Sequence, residues 1–294
     1  MQETGNNHIA CEATTNLIDE TFDVSQSESY HLSIQTGTEG LSFCIFNVVI
    51  GKYVVLRHYP FSFENTDILS DVCRSIFEND DLLSLKYKSC RHLWISPRCT
   101  LMPVGLYDAN DIETIFRFNH GWEAGESIRQ NQITSVGLYN IFSCPGNLIS
   151  LIQQYQPAIT FFHHATSFID TMAAESLSSA RLNIAMFYYS GFIDIIIAKT
   201  KKILFYNTFE INSPEDTVYY LAGVLNLFDT KISSVKLQYA GNADEMPANI
   251  RIVNKYVARV VEREAPDTVT YSHYMTKQLR IRFSHLFNLY KCVL

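Results

Sequence analysis

GKYVVLRHYPFSFENTDILSDVCRSIF, residues 51–77, and KKILFYNTFEINSPEDTVYYLAGVLNLF, residues 201–228, follow one plan. Each is a lysine-led apolar strand, a short polar link and an amphipathic helix, and the two lie about 150 residues apart. In the first copy Ile68, Leu69, Val72, Ile76 and Phe77 recur at helical spacing behind Asn-Thr-Asp. In the second, Ser213 precedes Pro214, Glu215 and Asp216, an order that caps a helix N-terminus and complements its dipole. Identity between the copies is weak, so order and period carry the comparison. A period this long in a chain of 294 residues predicts two similar halves, because solenoid repeats are several times shorter.

The same plan extends outward. YHLSIQT and LSFCIFNVV precede the first copy, with turn chemistry at Gly37, Gly40 and Gly51, and LNIAMFYY and FIDIIIAK precede the second. Both read as three-strand meanders. Between the copies CRHLWIS reads as a strand, SPRCTLMPVGLY as a loop, and Asp108 as the cap of a helix running through Arg117. Gly121 to Ser127 reads as a loop, QITSVGLYNIF as one strand, PGNLISLIQQY as a helix, and PAITFFHHATSFIDTMAAESL as a strand feeding a helix. After the second copy, SSVKLQYAGN is a strand closed by Gly241. PANIRIVNKYVARVVERE follows as one helix with Ile250, Val253, Tyr256, Val257 and Val260 on a face, and TKQLRIRFSHLFNLY as a terminal helix.

Composition narrows the function classes. Apolar residues make up 47% and aromatics 13%, so a globular chain is expected. A formal charge of -7 with dispersed lysines and arginines excludes a general nucleic-acid binder. Lys199, Lys201 and Lys202 form a small group at an expected hairpin end. Seven scattered cysteines without paired spacing predict reduced thiols and a cytoplasmic setting. No window reaches the roughly 20 apolar residues of a membrane span.

Three meandering strands followed by alternating helices and strands, carried out twice, is similar to the actin-like ATPase superfamily. Its two ribonuclease-H-like halves clamp a nucleotide between them. The runs ILFYNTFEINSPEDTVYYL, SPRCTLMPVGLY and VKLQYAG resemble an uncharacterised bacterial domain-of-unknown-function family, number 3822, over Ser29 to Cys292. The resemblance implies an α/β fold of two ribonuclease-H-like halves, each a mixed sheet flanked by helices. The expected division is a flexible tail over 1–29, a first half over 30–157 and a second over 158–294.

It also implies where nucleotide chemistry would sit. Active members of the superfamily hold magnesium with one carboxylate in each half's first hairpin, and glycine-rich turns admit phosphate. The physical need is for hard oxygen ligands and a nest of backbone donors. In this chain Thr36-Gly37-Thr38 keeps the phosphate turn, but Gln35 stands in place of the first acid, with Glu39 a displaced substitute. At the same offset Met186 falls opposite Gln35 and Tyr188 opposite Gly37, so a thioether replaces the second acid and a phenol fills the phosphate space. Asp194 is the nearest carboxylate, and Gly241 matches the turn on the adenosine side.

Other groupings read as structural. Adjacent His163 and His164, with Asp170, lack metal-ligand spacing. Cys144 has no base in reach of a sequence argument, and Glu123 with Glu126 reads as solvation. Aromatics in AMFYYSGF, ILFYNTF and TVYYLAG read as core, and any left exposed would form a docking patch. The expectation is therefore a non-catalytic cytoplasmic scaffold without ATP, magnesium or nucleic acid, working through a protein partner. The alternative is a sensor of ATP or another phosphorylated ligand, or a slow phosphotransferase, using the Thr36-Gly37-Thr38 turn and Gly241 in a candidate cleft lined by Gln35, Thr36, Gly37, Thr38, Glu39, Tyr188 and Gly241.

Overall fold

The computed structural model describes residues 11–37, 39–62, 66–179, 181–241, 246–265 and 267–291. The first sheet starts with β1 (Thr15–Ile18) and the meander β2 (Tyr30–Gly37), β3 (Gly40–Asn47) and β4 (Lys52–Tyr59). Helix α1 (Thr66–Asn79) leads into β5 (Ser89–Trp94), which is parallel to β2. A three-stranded sheet of β6 (Cys99–Pro103), β7 (Glu126–Ile133) and β8 (Leu138–Pro145) interrupts, with α2 (Ile112–His120) beside it. Then come α3 (Gly146–Tyr155), β9 (Thr160–His163) and α4 (His164–Glu175).

The second meander is β10 (Asn183–Tyr189), β11 (Phe192–Lys199) and β12 (Lys202–Glu210). It is followed by α5 (Pro214–Asn226), β13 (Lys236–Gly241), α6 (Met246–Val253) and β14 (Arg259–Glu262). The chain then returns as β15 (Thr270–Tyr271), which lies parallel to β4, and ends in α7 (Lys277–Arg282) and α8 (Ser284–Asn288).

The duplication is visible in the strand order. The second sheet runs β12-β11-β10-β13-β14, and the first runs β4-β3-β2-β5-β9 with β1 added at the β4 edge. Both place three antiparallel strands beside two parallel ones.

The packing follows from which residues each strand turns to which side. Leu32, Ile34, Phe43 and Ile45 face Leu69, Val72, Ile76 and Phe77 of α1 and Leu148 and Ile152 of α3. On the opposite face Cys44, Phe46, Tyr53 and Leu56 meet Phe283, Leu286 and Phe287 of the C-terminal helices. Helix α4 packs between the two sheets, where Phe168, Ile169 and Met172 join Phe187, Tyr189, Phe192 and Ile196. Helices α5 and α6 cover the far face of the second sheet through Leu221, Val224, Leu225, Ile250 and Val253. The α5 start is capped as its sequence implies: the Asn212 and Ser213 N–H groups each donate to the Asp216 carboxylate at 2.8 Å.

Several local expectations are corrected. The tail expected over 1–29 is ordered in its described part, because β1 pairs with β4 and the Asp19 carboxylate meets Lys52 at 2.8 Å. The division at 157/158 falls before β9, which pairs with β5 and completes the first sheet, and β15 rejoins that sheet from the C-terminal side. QITSVGLYNIF is a hairpin of β7 and β8 whose turn takes up residues 134–137, and the expected SPRCTLMPVGLY loop contains β6. Val260, placed on a long α6 face, lies instead on β14, parallel to β13. The terminal helix breaks at Phe283, and Phe283 and Phe287, four residues apart and so on one side, both reach the first sheet.

Candidate functional site

The two meanders bring their hairpin tips together. The first tip closes at the pair Gly37↔Gly40 and the second at Tyr189↔Phe192. Matching tip to tip puts Phe187 opposite Gln35 and Tyr188 opposite Thr36. The offset is one residue from the one that placed Met186 and Tyr188 there. A one-residue shift in a strand exchanges the two faces of the sheet. Met186 and Tyr188 accordingly pack among Ile184, Ile193, Leu221 and Leu237 on the α5 side, and Phe187 and Tyr189 face the gap. Neither register supplies a second carboxylate.

Each described residue of the expected phosphate turn has another occupation. Thr38 lies outside the described residues. Thr36 is fully buried on the α1 side of its strand, with Oγ1 2.7 Å from His92 Nε2. Burial pushes the His92 pKa down to about 3, so its ring is neutral at pH 7. A Cβ on Gly37 would come within 2.5 Å of Ile95 Cβ, so that glycine serves strand-to-strand packing. Gly241 has φ +117°, and a Cβ there would lie 2.7 Å from the Tyr188 nitrogen and 2.9 Å from its carbonyl carbon. The space beside Gly241 is taken by β10, its partner at Tyr188. Glu39 reaches across the gap, where Oε1 accepts the Ser190 N–H at 3.1 Å and ties one tip to the other.

Gln35 is half-buried and does face the gap, with Ser42 and His58 on its own sheet and Arg282 and His285 opposite. What remains open there is a cavity of about 20 Å³. A single water needs roughly 10–15 Å³ on the same measure, so the gap has room for about one. The filling is aromatic and tight. His285 stacks on Phe187 with ring centroids 3.5 Å apart, its Nε2 lies 2.7 Å from the Tyr189 hydroxyl, and Tyr189 stacks on Phe192 at 4.5 Å. Burial, followed by the neighbouring His164 and Arg263, pushes the His285 pKa well down. Burial raises that of Tyr189. The described residues do not fit Mg-ATP: a carboxamide stands at Gln35 where a metal-organising acid is needed, the Thr36 hydroxyl is turned away to His92, and aromatic rings line the gap.

Beneath the gap lies a buried polar cluster that joins the halves. His164 Nε2 donates to Asp194 Oδ2 at 2.8 Å, with both side chains fully buried, and Thr208 Oγ1 donates to Asp194 Oδ1 at 2.7 Å. His163 Nε2 donates to the Ser96 carbonyl at 2.9 Å, which leaves Nδ1 to accept from Ala165 N and Asn140 Nδ2, both at 3.3 Å. The adjacent histidines thus point to different partners, one into each half. Among the described residues no three His, Cys, Asp or Glu side chains are grouped to hold a metal ion. Cys144 is fully buried with its thiol pKa pushed up, and Glu123 and Glu126 both pair with Arg98. Thr208→Val keeps the shape but removes one of the bonds on Asp194. It should lower the unfolding free energy by about 1–2 kcal/mol, read from the urea midpoint at unchanged slope.

Sequence reasoning did not find Phe187, Tyr189 or His285 as the residues that fill the gap. His285 sits 96 positions from its hydroxyl partner, and nothing local in RFSHLFNLY marks it.

A family model described as a protein of unknown function, DUF3822, matches residues 19–260. The chain belongs to that family. Among solved structures it is similar to a Bacteroides thetaiotaomicron protein with an actin-like ATPase fold and unknown function. That pair is 21% identical over 93% of this chain and 100% of the other, with a TM-score of 0.79. It is also similar to a chain of a PilM–PilN type IV pilus biogenesis complex, 8% identical over 88% of this chain and 97% of the other, with a TM-score of 0.55. At these identities the likeness establishes the actin-like fold and leaves activity to the site itself. No curated protein matches by sequence. No described helix is long and apolar enough to cross a membrane.

Proposed function

We propose that this protein is a non-catalytic scaffold in which the nucleotide cleft of the actin-like fold has become a packed joint between the halves. One observation carries the reading: Phe187, Tyr189 and His285 fill the space between the hairpin tips down to about 20 Å³. Gln35 in place of an acid, and no acid at either candidate position in β10, support it from the ligand side. On this reading the protein works in the cytoplasm, in keeping with six described cysteines that are all free thiols, and acts by holding another protein. A chain of the same fold occurs in the PilM–PilN complex, which makes partner binding a role open to it.

The test is the melting temperature with and without millimolar Mg-ATP, for the natural chain and for Gln35→Asp. A ligand at 100 times its Kd stabilises by about 2.7 kcal/mol, which is several degrees for a domain of this size. No shift is expected in either protein. A magnesium-dependent rise in the natural chain would overturn the reading in favour of the phosphorylated-ligand alternative.

A further inference from the structure

β12 forms one edge of the second sheet, and among the described residues no strand pairs with its outer side. The phase of its hydrogen bonds follows from its far end, where Ile211 N–H donates to the Gly191 carbonyl at 2.9 Å, so residues 191 and 211 are a hydrogen-bonded pair. Antiparallel pairs alternate between bonded and non-bonded. In the register Phe192↔Glu210, Asp194↔Thr208 and Ile196↔Tyr206 are therefore the non-bonded pairs. The backbone N–H and C=O groups of Tyr206, Thr208 and Glu210 point away from β11. Among the described residues no backbone group of these three makes another hydrogen bond. The bulge between Ile197 and Ala198 falls before this stretch and leaves it regular.

These three residues line one wall of a groove of about 500 Å³, and Cys99 to Leu101 of β6 with Asn119 and His120 of α2 line the other. β6 is itself the edge of the small sheet. By the same alternation, counted from the bond of Val104 N–H to the Gly137 carbonyl, Leu101 turns its backbone groups away from β8. Open strand edges of this length are normally shortened, covered or interrupted by proline, and β12 has nine residues and no proline.

We propose that the groove between β12 and β6 takes an extended segment of a partner protein, added to the second sheet as a strand beside Tyr206, Thr208 and Glu210. The open backbone groups call for a peptide main chain, and the opposite wall of β6 and α2 stands where a second globular copy would have to sit. Charge sets the direction. Exposed Lys199, Lys201 and Lys202 stand at one end of β12 and exposed Glu210 at the other, so the segment carries acidic residues towards the lysines and a basic one towards Glu210. This rests on the scaffold reading and names the kind of partner it implies.

The test begins by panning a displayed library of random peptides, about ten residues long, against the full chain. Enriched peptides are then made with ordinary amides and with alternate amides N-methylated. Expected are sequences acidic at one end. Affinity should fall at least about tenfold when one set of alternate amides is methylated, and by less than about twofold for the other set, since only one set faces β12. In hydrogen exchange the amides of Tyr206, Thr208 and Glu210 should slow on binding, and Glu210→Lys should reverse the preferred charge at that end.

No enrichment, or binding that leaves those amides exchanging freely, would overturn the groove. Protection of the same amides by raised protein concentration alone would replace the partner with a second copy. The Mg-ATP melt separates the two readings. A groove that fails with no Mg-ATP shift removes the site and leaves the scaffold, and a shift removes the scaffold whatever the peptides do.

Discussion

Gly241→Ala lowers the unfolding free energy by about 2–6 kcal/mol, read as a large drop in urea midpoint with the slope unchanged. Two effects add. The backbone at Gly241 has φ +117°, outside the region that side chains tolerate, and such a residue stores about 1–3 kcal/mol. The new methyl would also overlap the Tyr188 carbonyl oxygen of the neighbouring strand, and overpacking costs about 1–3 kcal/mol more. That neighbour is backbone in the middle of the second sheet, so it cannot swing aside. Gly223→Ala is the control of opposite sign. It lies exposed within α5 with nothing within 4 Å of the added carbon, and should gain about 0.5–1 kcal/mol from helix propensity. If Gly241→Ala proved as harmless as its control, the close approach of β13 to β10 would be refuted. The packing role of this glycine would be refuted with it.

At pH 5.5 the protein is less stable than at pH 7.5 by about 4 kcal/mol. His92, His163 and His285 are fully buried, and burial is the largest cause of the lowered pKa in each, with the charge of neighbouring histidines adding for the last two. A histidine whose folded-state pKa lies below its unfolded value takes up its proton in the unfolded chain first. The stability it leaves intact is complete above about pH 6.5 and is lost as pH falls below it. Each such ring contributes about 1.4 kcal/mol between these two pH values, and three contribute about 4. The partly buried His31 and His120 shift in the same direction. His285→Phe removes one titrating ring at a place already lined by Phe187 and Phe168. It should therefore flatten the dependence by about a third while losing the bond to Tyr189. An unchanged slope in that variant would show that His285 is solvated, and the filled gap would fail with it.

Much of this architecture is legible without coordinates. The lysine-led strand followed by a capped helix, written at Gly51 to Phe77 and again at Lys201 to Phe228, announces the duplication, and the two sheets show it in the same strand order. These features are local. Capping by Asp216, the period of Leu69, Val72, Ile76 and Phe77, and the glycines at hairpin ends act within a few residues of where they are read. That Gln35 stands where the superfamily resemblance implies an acid is likewise read from a single residue.

The misreadings share a cause. Val260 satisfies a helical period and a strand equally well, and only its pairing beside β13 decides for the strand. β1 has only four residues, too few to show a period, and it is ordered because β4 offers an edge. In AMFYYSGF every second residue could face the gap, and both sets are aromatic or apolar, so pattern cannot say which. The pairing of Tyr189 with Phe192 sets the phase and turns Phe187 and Tyr189 inward to the gap and Met186 and Tyr188 towards α5.

The amino-acid order by itself determined the duplication, which is written in short-range period, and through its resemblance to the actin-like superfamily it implied the plan of two halves and a glutamine at position 35 where an acid is expected. Tertiary structure alone decided that the cleft is filled and that β12 is left open. His285 meets Phe187 and Tyr189, and β12 faces β6, through contacts between segments about a hundred residues apart. Such contacts are set by how the sheets and helices pack, and no local pattern in the chain encodes them.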